Sequence, residues 1–513
     1  MSAPRIAWDY LVLTASNALQ AQAYEYQLNL RREHGLLPQV GEALVVADLD
    51  DRRIGSGGST LLCLLRIAER ERFRRGARGS VAEILRRLRI LIVHAGGDSR
   101  RLPAYGPCGK IFVPLPVESS TPLPVALFDR LVPDFLALPP GAPGRGQIVV
   151  AAGDALVLFD ARHVSLSQSG LTAVGCYAAP EEASRHGVFS IGEGGIASLY
   201  LQKPSIAEQR CKGALNAGGL AALDVGVMSL DAEVAEALLD AFEVAETPAA
   251  LLGGEIDLFR EICCAMGSAS TPEHYLSSVR ASGSSWSEER LARLFPLLNR
   301  IPLHVELVPS CRFLHFGSTR QLIESGKALL GEAAPAVLAV NDRIATAARV
   351  RGRDAWVEGC RIRADLELAG QNVLTGVDVD APLSLPLGAS LEVLRGRSRA
   401  GADVWFVRCY GVGDTFKRGS EFCGRPLEEW LRAAGLTDED AWPEAGDRGL
   451  WTARVFPAET GAGGYRRWLW MYAPEAATTQ ELAAFRSADR YSAAELAFQA
   501  DQAAFHSRRL EMR

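Results

Sequence analysis

No apolar run in this 513-residue chain approaches the ~20 residues that a membrane-spanning helix needs, so no membrane crossing is expected. A basic excess is missing too. Lys and Arg number 55 against 61 Asp and Glu, a net charge of -6, whereas a general nucleic-acid binder carries surplus positive charge. The ten cysteines include no CxxC pair, which argues against a zinc ribbon or a disulfide framework and for reduced thiols in a cytoplasmic protein. A secretory leader is not expected, because Arg5 and Asp9 interrupt the apolar residues of MSAPRIAWDYLVLTAS. What remains is an ordinary globular composition, long enough for two or three domains.

What is present is first a rhythm. The apolar runs YLVLTAS (10–16), EALVVADLD (42–50), RILIVHA (89–95) and GQIVVAAGD (146–154) alternate with helix-like stretches. Continuous apolar strands separated by helices predict a mostly parallel sheet covered on both faces, with ligands at the carboxyl ends of its strands. The basic run from Arg66 to Arg89 reads as a solvated helix face and its turn. Its rival, a nucleic-acid surface, predicts salt-sensitive binding to any duplex.

A second rhythm begins near residue 351. Trp356, Ile362, Leu368 and Leu374 lie six apart, and Val373, Val379, Leu385 and Leu391 repeat the spacing with a one-residue offset. Gly359, Gly370 and Gly376 punctuate the short pieces. A period of six with inward apolar residues predicts a parallel β-helix. From about residue 400 the chain mixes short strands and helices that are expected to complete the same domain.

Chemistry concentrates in HAGGDSRRLPAYGPCGK (94–110). Gly96 and Gly97 after a strand let backbone approach a ligand, and the turn carrying Ser99 can point amides at phosphate oxygens. Arg101 offers a bidentate fork and Lys110 a point charge, nine residues later. A Gly-Gly pair alone is usually a tight turn. The combination with Ser, Arg, Leu-Pro and a downstream lysine is more specific.

These residues resemble the signature AGGxGTRLxP…PK of sugar-phosphate nucleotidyltransferases. Ser99, Arg100 and Gly109 stand where the general family has glycine, threonine and proline, and the motif lies about 90 residues in. One branch shares those departures: the fucose-1-phosphate guanylyltransferases, alone or as the front half of bifunctional fucokinase proteins. WDYLVLTASN (8–17), DRRIGSGGSTL (51–61), GKIF (109–112), AAGDALVLFD (151–160), RHGVFSI (185–191), LQKPS (201–205), IDLFREI (256–262), RCYGVGDTFKRG (408–419) and GLWTARVFP (449–457) are similar to that branch in the same order.

The resemblance implies an α/β fold. A Rossmann-like, GT-A-like nucleotidyltransferase domain over residues 1–330 would be followed by a domain over 331–513 containing a left-handed parallel β-helix. It implies GTP and L-fucose 1-phosphate as substrates and Mg2+ as cofactor. Asp154, after a strand and a glycine, would hold the ion, with Asp224 as second ligand and Asp257 its rival, although Asp257 reads equally as a helix cap. Lys203 would meet the acceptor's phosphate. His186 and Gly187 would lie near the sugar, but a turn histidine is more often structural, and neither is assigned a catalytic role.

The turn at Gly55, Ser56, Gly57 and Gly58, with a helix expected from near Thr60, reads by itself as a connection. Beside the resemblance it reads as nucleotide contact through Ser56, Ser59 or backbone amides. Cys263-Cys264 reads as core. No phosphate loop of the fused fucokinases is present, so the sequence supports the transferase step. An exposed β-helix would also suit a homo-oligomer. Other readings are a UDP-sugar pyrophosphorylase or a GDP-sugar-binding regulator without activity.

Overall fold

The computed structural model describes residues 7–245, 247–417 and 420–513, so Arg5, Arg418 and Gly419 of the stretches above lie outside it. The chain forms two compact units. The first comprises Met1–Gly97, Leu131–Gly153 and Val157–Phe313, and the second Asp98–Arg130, Asp154–Leu156 and Leu314–Arg513.

In the first unit the chain runs through β1 (Trp8–Ala15), α1 (Ala18–Glu33), β2 (Val40–Ala47), α2 (Gly55–Arg75), β3 (Arg89–His94) and β4 (Gln147–Ala152). β5 (Ala155–Phe159), β6 (Leu171–Ala178), β7 (Gly187–Ile191), β8 (Ala197–Gln202), β9 (Ala221–Leu230), β10 (Leu303–Val308) and β11 (Cys311–His315) follow, the first two residues of β5 and the last two of β11 belonging to the second unit. The main sheet has the order β10-β6-β9-β4-β3-β1-β2, with β7 and β8 attached through β9. The expected parallel array is present as β2-β1-β3-β4, in register Val12↔Leu44 and Val12↔Ile92. The sheet as a whole is mixed, because β9 runs antiparallel to both β4 and β6. β9 is buried along nearly its whole length, as a parallel strand of such a sheet is, since burial on both faces does not depend on strand direction.

The basic run falls on the second half of α2, the turn after it, a short helix (Val81–Leu85) and the first residue of β3. Arg70 and Arg74 pair with Glu42, Arg66 with Glu69, Arg75 with Glu71 and Arg86 with Glu233. Acidic partners meet it, as a solvated helix face requires. Cys263 and Cys264 are buried, and no disulfide joins any of the ten cysteines. Among the described residues no helix is long and apolar enough to cross a membrane.

In the second unit three stacks of short parallel strands run together: Val337–Val340, Ala355–Glu358 and Val373–Thr375; Arg343–Ile344, Arg361–Ile362 and Asp378–Val379; Val350–Gly352, Leu366–Leu368 and Leu383–Leu385. The two period-six series explain each other here. Trp356 stacks on Val373, Ile362 on Val379, Leu368 on Leu385 and Leu374 on Leu391. One series runs around a coil and the other is the coil above it. The one-residue offset is the difference between a coil of 17 residues and three repeats of six. All eight residues are buried.

The expected boundary at residue 330 is not where the units divide. Asp98–Arg130, early in the chain, belongs to the second unit because specific bonds hold it there. Trp356 Nε1 donates to Tyr105 Oη (2.8 Å), Arg408 Nη2 to the Pro103 carbonyl (2.7 Å) and Arg513 Nη2 to the Ser119 carbonyl (2.7 Å). Nothing in the periodicity of 98–130 announces those partners.

Candidate active site

The glycine loop leaves β3 at His94. A Cβ on Gly96 would stand 3.2 Å from Ser16 Oγ, whereas one on Gly97 (φ 127°) would meet nothing within 4 Å. The Gly97 amide donates to Ser16 Oγ (2.5 Å), and Gln20 Nε2 donates to the Gly97 carbonyl (3.1 Å). The Gly97 amide therefore serves the loop's own shape. Ser99 differs: it takes a left-handed backbone (φ 53°), and its hydroxyl is buried with no hydrogen-bond partner. A buried hydroxyl left without a protein partner calls for an explanation, and a bound ligand or water supplies one.

Asp98 and the residues after it belong to the second unit, which gathers the charged groups. The heads of Arg101 (Nη2) and Lys110 (Nζ) both lie 3.9 Å from the point where Gly317 would carry a Cβ. Asp154, exposed between β4 and β5, acts electrostatically on Lys110. Burial pulls the Lys110 ammonium below the ordinary lysine range. Arg101 and Lys417 push it the same way, and Asp154 and Asp98 oppose them. Of the expected residues, then, Arg101, Lys110 and Asp154 are brought together within one unit. Arg100 faces elsewhere: it pairs with Asp98 (3.0 Å), and its guanidinium lies 5.0 Å from the centre of the Trp451 ring.

A hard carboxylate oxygen beside a cation pair fits a Mg2+ ion arriving with its phosphates, since Mg2+ is usually held by one or two carboxylates, waters and substrate. Among the described residues no group of three or more His, Cys, Asp or Glu could hold a metal alone.

Three neighbours were not among the expected residues. His315, at the end of β11, faces Asp154 and Arg101, and its pKa is lowered by burial and by Arg101. Gly317 is the glycine whose Cβ position lies 3.9 Å from each of the two cation heads. Lys417 comes from the GDTFK loop, which Asp414 braces by accepting amides of Gly411 and Cys423 (2.6 Å each). A signal existed. LHFGSTR is a strand, a glycine and a helix start, the same grammar as VHAGGDSRR, but without a lysine or a family motif to mark it.

The remaining expected residues stand in the first unit. The glycines of DRRIGSGGST form the first turn of α2, so the helix starts at Gly55 and not near Thr60. Their absent side chains admit another strand of backbone. A Cβ on Gly55 would fall 2.4 Å from the Ile256 carbonyl oxygen, and the amides of Gly57 and Gly58 donate to that oxygen (2.8 and 3.2 Å). Ser56 Oγ accepts from the Leu258 amide (2.9 Å). These groups are engaged by protein, which accounts for the glycine pattern without a nucleotide.

Asp257 caps the helix that follows it, accepting from the Phe259 and Arg260 amides (2.9 Å each). Asp224 is buried, accepts from Tyr200 Oη (3.0 Å) and the Gly226 amide (2.7 Å), and burial pushes its carboxyl up to about 6. Lys203 is exposed after β8 in a left-handed conformation (φ 48°), its amide on the His186 carbonyl (3.1 Å). The His186 ring packs against Phe313, as a structural histidine does.

Comparison with known proteins adds the family. The model of the fucose pyrophosphorylase domain matches residues 82–460. The bifunctional fucokinase/GDP-fucose pyrophosphorylase of Arabidopsis thaliana is 27% identical over 95% of this chain and 50% of its own length. Fucose-1-phosphate guanylyltransferases of Mus musculus and Homo sapiens are 28% and 25% identical, over 62% and 88% of this chain. This chain spans half of the plant protein, 56% of the mouse protein and 81% of the human one. A crystal structure from Thermus thermophilus, described as a mannose-1-phosphate geranyltransferase, aligns over 75% of the chain and 91% of its own at 12% identity. Its TM-score is 0.29, too low to carry an argument.

Proposed function

The chain belongs to the fucose pyrophosphorylase family, and from that premise we propose that it is a sugar-1-phosphate guanylyltransferase, converting GTP and L-fucose 1-phosphate into GDP-L-fucose and pyrophosphate. The sugar and base come from the names of the relatives. The observation that carries the chemistry is the grouping of Arg101, Lys110 and Asp154 in one unit.

The acceptor's phosphate oxygen attacks the α-phosphorus of GTP, the α–β bridging bond breaks, and pyrophosphate leaves with the electron pair. The acceptor is already an anionic nucleophile, so no covalent enzyme intermediate is required. Catalysis is positioning and charge stabilisation. Arg101 and Lys110 hold the triphosphate and the charge that develops on the departing pyrophosphate. The Ser99 hydroxyl donates to the same polyphosphate. Mg2+, when bound, screens the repulsion between the two anions, with Asp154 as its protein ligand. Several roles are carried by the family resemblance alone: Asp224 as second ligand, Lys203 on the acceptor's phosphate, and Gly96 and Gly97 as the backbone opening. The same holds for Gly55, Ser56, Gly57 and Gly58 beside the nucleoside.

The test is a panel of nucleoside triphosphates with L-fucose 1-phosphate, reading pyrophosphate release with Mg2+ present and chelated. Release with GTP that stops on chelation is expected. A stronger response to another nucleotide would reassign the reaction within the family. Thermal stabilisation by GDP-sugars with no release would make the chain a binding protein.

A further inference from the structure

We propose that Gly317 is the positioning residue for the pyrophosphate end of the nucleotide: its missing side chain is the space onto which the heads of Arg101 and Lys110 close. The inference rests on the nucleotidyl-transfer reading and extends it to a segment 207 residues beyond Lys110.

The geometry is specific. A Cβ at Gly317 would have Gln321 Oε1 at 3.5 Å, then Arg101 Nη2 and Lys110 Nζ, each at 3.9 Å. Two like charges converge near one buried glycine; Asp154 and Asp98 offset part of their repulsion, and a polyanion shared by the two heads would offset the rest. The segment is also locked to the loop it serves. The Thr319 amide donates to the Arg101 carbonyl (2.9 Å), and the Gly317 amide donates to Gln321 Oε1 (3.2 Å). Gly317 thereby stays in fixed register with Arg101, at the start of the helix Thr319–Leu330, whose N-cap Ser318 makes no side-chain cap bond. Lys417 adds positive charge from a third segment.

Gly317 is not among the positive-φ glycines, so the backbone accepts a side chain there. What a side chain would meet is the flexible ends of Arg101, Lys110 and Gln321, with no backbone atom among the three nearest. A methyl group makes ordinary contact. The branches of valine would push the two head groups off the point they share. The fold should survive while the cation pair opens.

The test compares wild type with Gly317→Ala and Gly317→Val. It reads melting temperature, calorimetric binding of inorganic pyrophosphate at fixed Mg2+, and the reverse reaction. In that reaction a pyrophosphate oxygen attacks the α-phosphorus of GDP-L-fucose, and L-fucose 1-phosphate leaves as GTP forms. Gly317→Val should melt like wild type, weaken pyrophosphate binding and raise its KM about ten-fold or more, and leave the KM for GDP-L-fucose nearly unchanged. Gly317→Ala should fall between. Unchanged pyrophosphate affinity in a folded Gly317→Val protein overturns the proposal, as does a wild type that does not bind pyrophosphate. If valine unfolds the chain, a folded Gly317→Ala protein with wild-type pyrophosphate affinity overturns it equally. A wild type that binds pyrophosphate but releases none from any nucleotide refutes the transferase reading, while the binding comparison still decides Gly317.

Discussion

In the proposed reaction Lys110 and Asp154 act through charge, so their removal should be read in rate, with the fold intact. Loss of one preorganised charge at a phosphoryl centre typically costs about 10²–10³ in turnover. Lys110→Ala and Asp154→Ala are each expected to fall in that range while melting within a few degrees of wild type. Near-native turnover in either would refute the site. Ser99→Ala gives a sharper reading, because its hydroxyl has no partner in the protein. Deleting it should leave stability unchanged or slightly raised and weaken GTP binding.

His94 reports on the neighbouring core. Thr60 Oγ1 lies 3.0 Å from its Nε2, and burial pulls its pKa from 6.5 down to about 4. The folded state binds the proton less readily than the unfolded chain, so the stability due to neutral His94 is complete above pH 6.5. It is lost progressively as pH falls towards 4. A melting series from about pH 7.5 to about pH 4.5 should decline on that limb, and His94→Gln should flatten the decline.

Elements are joined by glycine in two ways, and substitution separates them. At the start of α2 the glycines admit backbone. A Cβ on Gly57 would lie 2.8 Å from Ile256 Cγ2 and 3.1 Å from its carbonyl oxygen. Gly57→Ala should therefore cost about 1–3 kcal/mol as overpacking. Gly55→Ala should cost more, since its left-handed φ of 81° adds backbone strain to the contact with Ile256. Chemical denaturation of both variants, with Gly317→Ala as the unstrained comparison, checks the ranking. Equal stability in all three would show that the α2 glycines are not packing residues.

The second unit is held as a whole by a buried cluster drawn from three distant stretches. Tyr105 comes from the segment that follows the glycine loop, Trp356 and Glu358 from the stacked short strands, and Arg509 from the last helix. Arg509 Nη2 donates to Glu358 Oε2 (2.6 Å), with both residues buried. Breaking such a pair leaves a buried charge uncompensated and typically costs about 3–5 kcal/mol. Arg509→Met should lower stability by that order, measured by denaturant unfolding. Because Tyr105 lies between Arg101 and Lys110 in the chain, turnover should fall too, at a residue remote in sequence from every phosphate contact. A neutral Arg509→Met would show that the ion pair does not hold the unit.

Local and repetitive features were legible in the amino-acid order alone. Strand-length apolar runs, the glycine loop with Arg101 and Lys110, and the six-residue period of the β-helix are short-range patterns, and each reappears as a structural element. The amino-acid order also carried the family, because motifs in constant order survive divergence. Whatever depends on pairing between distant residues emerged with the fold. The direction of β9, the engagement of the α2 glycines by Ile256, the membership of 98–130 in the second unit and the approach of Gly317 to two cation heads are of that kind. Glycine is the clearest case. Its signal in a sequence is only that something comes close, and whether that something is a phosphate or another strand of backbone is set by partners hundreds of residues away.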